Sequence, residues 1–383
     1  MSAFTSLLSS FRQAAASERE KGTYFEELTL AYQAASTQMQ AVKFVEKDEQ
    51  KIAWDDKLFQ GVASDKAISY SEQAIVKASY RPFAPMYFYF DRSCIWSPYQ
   101  MPKIFPNCDA KNLVILTTGR GSTKEFCAFI SDRIPDLEMI SKGQCFPLYL
   151  YDEPAKASQP GLFEEGPPQS TRRDGITNQG LAHFQAAYPG ENLTKEALFY
   201  YIYGLLHSPE YCASYADNLC KELPRIPCVK TTEDFWIFSK AGRALAALHL
   251  NFESVPMHPV EVVTSGPVSD ASYRVEKMRY GKAKEDGKTV DDKTMLVYND
   301  QITLKGIPLE AYAYVVNGKS ALDWVVERQC VKTDKDSGIV NDANAWATET
   351  MGNPKYPLEL FQRVITVSLE TMKIVNALPP MAL

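Results

Sequence analysis

The sequence contains no C-x-x-C pair, only four histidines, and no apolar run approaching the roughly 18 residues that a membrane span requires. Structural zinc normally presents close pairs of Cys or His ligands. Here eight cysteines are scattered. Cys212, Cys220 and Cys228 recur at a regular interval with no histidine pair beside them, so reduced, mostly buried thiols are the simpler reading. The opening stretch "MSAFTSLLSSFRQAAASEREKG" has no basic leader and turns charged early, unlike a secretory signal, so the chain reads as cytoplasmic and makes no membrane contact. Positive charge is not in excess either. Lys and Arg number 41 against 47 Asp and Glu, a formal net charge of −6. That excludes a generally basic coat, and any contact with phosphate must come from cations gathered locally.

What is present points to a large globular protein. At 383 residues the chain exceeds one ordinary core, and 45% hydrophobic with 23% charged content suits two or three folded units. Aromatic content is high, and "YRPFAPMYFYFDRS" (80–93) concentrates it. Strand alternation puts Met86, Phe88 and Phe90 on one face and Tyr87 and Tyr89 on the other. With both faces aromatic, the segment reads as a buried central strand. Arg81 and Arg92 flank it as the better candidates for contact.

Periodicity organises the rest. The first 40 residues read as helix, with Phe4, Leu7, Leu8 and Phe11 on one stripe. Residues 41–72 are polar and mixed. From 74 to 151 short extended runs ("AIVKASY", "MYFYF", "NLVILTT", "FCAFIS", "FPLYLY") alternate with turn residues and predict strands. Residues 152–177 are rich in Pro, Gly and charge and predict a long exposed loop. A helical block follows, with Thr194 as a cap, Ser208-Pro209-Glu210 as a helix start, and a third helix from Thr231 carrying Phe238, Ala241, Leu245 and Leu248 on one face. The last third predicts a hairpin turning at Asn299-Asp300 and two helices, over "SALDWVVERQ" and "LELFQRVITVSLETMKIVNAL".

Three motifs resemble catalytic ones without completing them. "NGKS" (317–320) has Ala313 where a phosphate-binding loop needs its first glycine, and a turn before a helix is the plainer reading. "NPKY" (353–356) lacks the glycine-rich strand of a methyl donor site and reads as a loop ahead of the final helix. "PDLEMISK" (135–142) holds acids and a lysine, but not along a strand pair, so it reads as a surface turn. No histidine has a nucleophile partner that spacing singles out. The sequence predicts no catalytic residue, no metal and no cofactor.

The aromatic stretch then becomes informative in another way. "YRPFAPMYFYFDRS" resembles the Y-R-P-F-D-x-R-Y-x-Y-Y-D signature of the C-terminal specificity domain of type ISP restriction-modification enzymes. "NLVILTTGRG", "FISDRIPDLEMI", "CFPLYLY", "YIYGLLHSPEY", "LPRIP", "YVVNGKSALDWVVERQCVKTDKDSGIVNDAN" and "RVITVSLETMKIVNALP" agree in order from about residue 40 onward. Ala84 stands where that family often has Asp and Met86 where it often has Arg, so any pair those residues make is missing here. "LLSSFRQAAASEREKGTYFEELTLAY" is similar to the extreme N-terminus of the same enzymes, where a nuclease begins. The resemblance implies an α+β fold with a mixed β-sheet target recognition domain, a helical block and C-terminal helices. It implies three segments: 1–33, a remnant of nuclease-region helices; 34–79, a linker; and 80–383, the specificity domain. It also implies recognition of duplex DNA without chemistry, the nuclease, helicase and methyltransferase parts being absent. The alternative is an interaction remnant that docks on a full-length restriction-modification partner, or a non-functional one.

Base reading needs hydrogen-bonding side chains on loops, with cations for the flanking phosphates. "TTGRGSTKEF" offers Thr118, Arg120, Ser122 and Lys124, with a plain exposed hairpin as its bland reading. "STRRDGITNQG" offers Arg172, Arg173, Asn178 and Gln179. "YRVEKMRYGKAK" offers Arg279 and Lys282, and "VKTDKDSGIVNDAN" offers Lys335. A solvated charged face is the alternative for each.

Overall fold

The computed structural model describes residues 71–92, 95, 97–152, 171–285, 287–333 and 340–382. The expected helices of the first 40 residues, the boundary at 33/34 and Lys335 lie outside these. The described residues form an α+β fold.

Two strands, β1 (Ile75–Arg81) and β2 (Ala84–Tyr89), make an antiparallel hairpin that β5 (Ile134–Pro135) joins in parallel, in the order β2-β1-β5. The sheet therefore starts five residues before position 80, and a domain boundary at 79/80 would cut β1. The aromatic stretch is not a central strand. It occupies the sheet edge, where Phe88 is 38% exposed while Tyr89 is buried. Alternation gave the two faces correctly, but it carries no information on which strand lies at an edge. Ala84, at the position of the expected acid, is buried.

The central layer is built instead from β3 (Val114–Thr117), β4 (Ala128–Ser131) and β6 (Gln144–Pro147), in the order β4-β3-β6. Val114, Ile115, Leu116, Ala128, Phe129 and Ile130 are all buried. Such continuous apolar strands are what a sheet covered on both faces requires. Leu116 and Phe129 face one core, and Ile115, Ala128 and Ile130 face the other.

The second core holds the helical block. Beyond β7 (Tyr149–Asp152) and β8 (Thr171–Asp174), an antiparallel ribbon, come α1 (Asn178–Ala187), α2 (Lys195–Leu205) and α3 (Thr232–Leu250). Thr177, Thr194 and Thr231 each cap their helix by accepting a backbone N–H three residues on, as does Ser208 for the short helix Pro209–Ser214. Within the expected long loop, residues 171–177 are thus strand β8 and the approach to α1, and residues 153–170 lie outside the described residues. The buried face of α3 is Phe235, Phe238, Gly242, Leu245 and His249, turned slightly from the expected stripe. Helices α2 and α3 touch backbone to backbone: a Cβ on Gly242 would lie 1.9 Å from the Tyr200 carbonyl oxygen, and one on Gly204 2.2 Å from that of Phe238.

The first core gathers the remaining elements. Strands β9 (Glu261–Thr264), β10 (Arg279–Glu285), β11 (Lys288–Val297) and β12 (Ile302–Lys305) form an antiparallel sheet in the order β10-β11-β12-β9. The expected turn at Asn299-Asp300 closes β11 onto β12. Two small ribbons follow, β13 (Val315–Val316) with β14 (Lys319–Ser320) and β15 (Val331–Thr333) with β16 (Val340–Asp342). Helices α4 (Ala321–Arg328) and α5 (Tyr356–Asn376) pack beside them. "NGKS" is the β13–β14 turn running into the cap of α4, and "NPKY" leads into α5. "PDLEMISK" is more than a surface turn, because Met139 and Ile140 are fully buried.

Candidate nucleic-acid interface

The loop 118–127 between β3 and β4 is locked to three other segments. Gly119 passes so close to Lys142 that a Cβ there would lie 1.7 Å from the Lys142 carbonyl oxygen, so only glycine fits this crossing. Gly119 N–H donates to Ser141 O (3.1 Å) and Lys142 Nζ donates to Gly121 O (2.8 Å). Ser122 Oγ donates to Ser141 Oγ (2.9 Å) and accepts from Lys124 N–H (2.9 Å). Asn317, in the β13–β14 turn, accepts from Ser141 N–H through Oδ1 (3.0 Å), and its own N–H meets Cys127 Sγ (3.3 Å). Gly121 N–H reaches Cys220 O in the helical block (3.3 Å). The loop is therefore held from three sides, while Arg120, Thr123, Lys124, Lys142 and Gln144 stay exposed.

Thr118 does not belong to this outward set. It is buried, accepting from Cys127 N–H (3.0 Å) and donating to Glu125 O (3.2 Å).

The other expected contacts are spread. β3 pairs Thr117 with Gln144 at the loop end and Val114 with Pro147 at the far end, about 10 Å of strand away. Arg172 and Arg173, on β8, lie past that far end. Arg172 stacks on Tyr149 at 4.3 Å and Arg173 pairs with Asp152 at 3.0 Å, leaving both exposed. Asn178 and Gln179 open α1, and Asn178 Oδ1 accepts from Lys195 Nζ (2.6 Å). Arg279 and Lys282 are on β10, and Lys282 pairs with Asp291 across the hairpin. Arg92 is exposed just beyond β2.

Arg81 faces inward. Its guanidinium pairs with Asp136 at 2.5 Å, donates to Tyr80 O at 2.6 Å, and is 16% exposed. Its neighbour Phe83 has φ 58°, is buried, and meets Phe129 and Phe252 edge-on at 5.6 and 5.3 Å. The expectation that Arg81 flanks the aromatics as a contact thus meets a side chain already committed to the fold.

Sequence reasoning misses Lys142 and Asn317, although "PDLEMISK" and "NGKS" contain them, because both segments draw the eye as incomplete catalytic motifs. Their pairing with the 118–127 loop spans up to 190 residues, a distance over which periodicity says nothing.

Arg120, Lys124 and Lys142 thus stand exposed on and beside a glycine-locked loop, at one end of a sheet covered on both faces. The chain belongs to the family of the Type ISP C-terminal specificity domain, whose description matches residues 8–360. That match takes in most of the segment 1–33. Solved relatives agree. The ATP-dependent Type ISP restriction-modification enzyme LlaBIII bound to DNA is 31% identical with a TM-score of 0.78, covering 97% of this chain and 23% of its own. A nuclease-deletion mutant of the Type ISP enzyme LlaGI, in complex with a DNA substrate mimic, is 31% identical with a TM-score of 0.75, covering 98% and 27%. The DrdV–DNA complex is 30% identical with a TM-score of 0.79, covering 96% and 34%. The chain thus spans a quarter to a third of the length of these proteins. No curated protein matches it.

Proposed function

We propose that the chain recognises a short sequence in duplex DNA as the specificity region of a Type ISP restriction-modification system, without chemistry of its own. The observation that carries this reading is the 118–124 loop, with Arg120 and Lys124 exposed on a backbone tied to Ser141, Lys142 and Cys220. A preset loop loses little freedom on binding, and Arg can make paired bonds to guanine in the major groove. The three similar structures, each described as a complex with DNA or a DNA mimic, support it.

In this reading the 118–124 loop, with Lys142 and Gln144, enters the groove. Arg172, Arg173, Asn178 and Gln179 contact DNA from a second position. The partner is duplex DNA and no cofactor is involved. Among the described residues no helix is long and apolar enough to cross a membrane.

The test is selection of bound sites from a random duplex pool. Recovery of one short consensus supports sequence recognition, and an unenriched pool opposes it. The length of the relatives favours a second reading, in which the chain works docked on a full-length restriction-modification protein. Selection repeated with and without such a protein separates the two.

A further inference from the structure

A groove of about 790 Å³ opens beside the reading loop, between β10–β11 and α4. Lys277, Lys293, Lys319 and Lys332 line it, against two carboxylates, Asp323 and Glu327. The chain as a whole carries an acidic excess, so this local reversal of sign sets the groove apart.

The two acids are tied to the inner lysines. Lys293 pairs with Asp323 at 3.2 Å, and Lys319 pairs with Glu327. Burial raises the Asp323 pKa, but bonds from Tyr280 and Ser320 and the charge of Lys293 outweigh it and hold the group below its ordinary value. Glu327 is likewise held low, burial being outweighed by Lys319, Arg328 and Lys332. The inner cations are seated over rings, Lys293 at 4.7 Å from Tyr312 and Lys319 at 4.8 Å from Trp324. Lys277 and Lys332 are exposed at the rim, and both act electrostatically on Cys330 in the groove wall. Gly318 joins groove to loop: it lines the groove, and a Cβ on it would come within 3.1 Å of Lys124 Cδ.

We propose that this groove seats the sugar–phosphate backbone of the same duplex, resting on the reading above. Lys277 and Lys332 make the phosphate contacts, and the inner pairs hold the walls. A duplex engaged by Arg120 and Lys124 continues directly over the groove through the Lys124–Gly318 contact. The inner lysines are already paired with Asp323 and Glu327, which leaves the rim lysines as the contact points. Phosphate contacts position a duplex without reading its sequence, so the groove supplies affinity and the loop supplies choice.

The experiment is a fluorescence anisotropy titration of the full chain with two duplexes, the selected site and a scrambled one, over a range of salt. The variants are K277E/K332E, K277Q/K332Q and, as a control at exposed Lys373 on the outer face of α5, K373E. Removing one lysine–phosphate bridge lowers the slope of log affinity against log salt by about 0.9. K277Q/K332Q is expected to lower it by about 2 and K277E/K332E to weaken binding further. Both duplexes should lose affinity equally, with K373E near wild type and the unfolding transitions of all variants unchanged. Wild-type slope and affinity in both double variants would overturn the groove while leaving DNA recognition standing. A weakening confined to the selected duplex would overturn it too, because the groove would then be reading bases. A wild-type chain that binds neither duplex removes the recognition reading and the groove with it.

Discussion

Arg81 and Phe83 show how a signature can be structural. The turn between β1 and β2 places Phe83 in the left-handed region, a conformation that costs a non-glycine residue energy, and burial against Phe129 and Phe252 compensates. Phe83→Ala is expected to lose about 3–5 kcal/mol of stability in denaturant unfolding, as other large-to-small core changes do. A loss below about 1 kcal/mol would mean the ring is not a core element. Arg120 and Lys124 belong to the opposite class. R120E/K124E is expected to unfold like wild type while losing duplex affinity and flattening its salt dependence. Asn178 already serves Lys195, so the test of base contact at the start of α1 falls on Gln179. Gln179→Ala is expected to cost roughly 1–3 kcal/mol for the preferred base and little for others, if it makes a paired base contact. Equal loss across all sites would place it on the backbone.

At the scale of elements, local signals survived where they carry their own physics. Thr194, Ser208 and Thr231 cap the helices that the sequence assigns them, because a cap bond closes within three residues. The 118–127 loop was legible from its glycines. The edge position of β2, the strand character of Thr171–Asp174 and the Ser141–Asn317 clasp were not, since each depends on a partner remote in sequence. The α2–α3 contact makes a sharp prediction. Gly242→Ala would put a methyl 1.9 Å from a carbonyl oxygen, so the helices must part, at an expected cost of about 3 kcal/mol. A neutral effect on the unfolding midpoint would contradict that packing. The same helices enclose a histidine bridge: His249 meets Tyr203 Oη at 2.6 Å and Thr371 Oγ1 at 2.9 Å. Burial holds His249 well below its ordinary 6.5, His207 adding to the effect, and burial pushes His207 down to about 4. Both are neutral in the fold, so their stabilisation is complete above pH 6.5. Below that the unfolded chain takes up protons the fold refuses. Stability should fall by about 1.4 kcal/mol per pH unit for each histidine that stays neutral, for His207 down to about pH 4. His249→Gln should remove about one proton from that dependence, and an unchanged slope would show that His249 titrates in the fold.

At the scale of the molecule, two cores share one central sheet, and the proposed duplex contact lies at its loop end. The α+β architecture and the family were readable from ordered motifs. The arrangement of contact residues was not, because the charge that matters is local and the chain average is acidic. Residues 1–33, which lie outside the described residues, are read from the sequence as a remnant apart from the specificity domain. Their deletion is then expected to leave cooperative unfolding intact, and loss of soluble protein would show that they are part of it. Specific DNA readers bind their site typically 10³-fold or more tighter than unrelated duplex. The most direct measurement is the ratio of affinities for the selected site and a scrambled duplex of equal length, at near-physiological salt. A ratio of about 10³ or greater is the predicted result. Equal affinities would contradict sequence recognition by this chain.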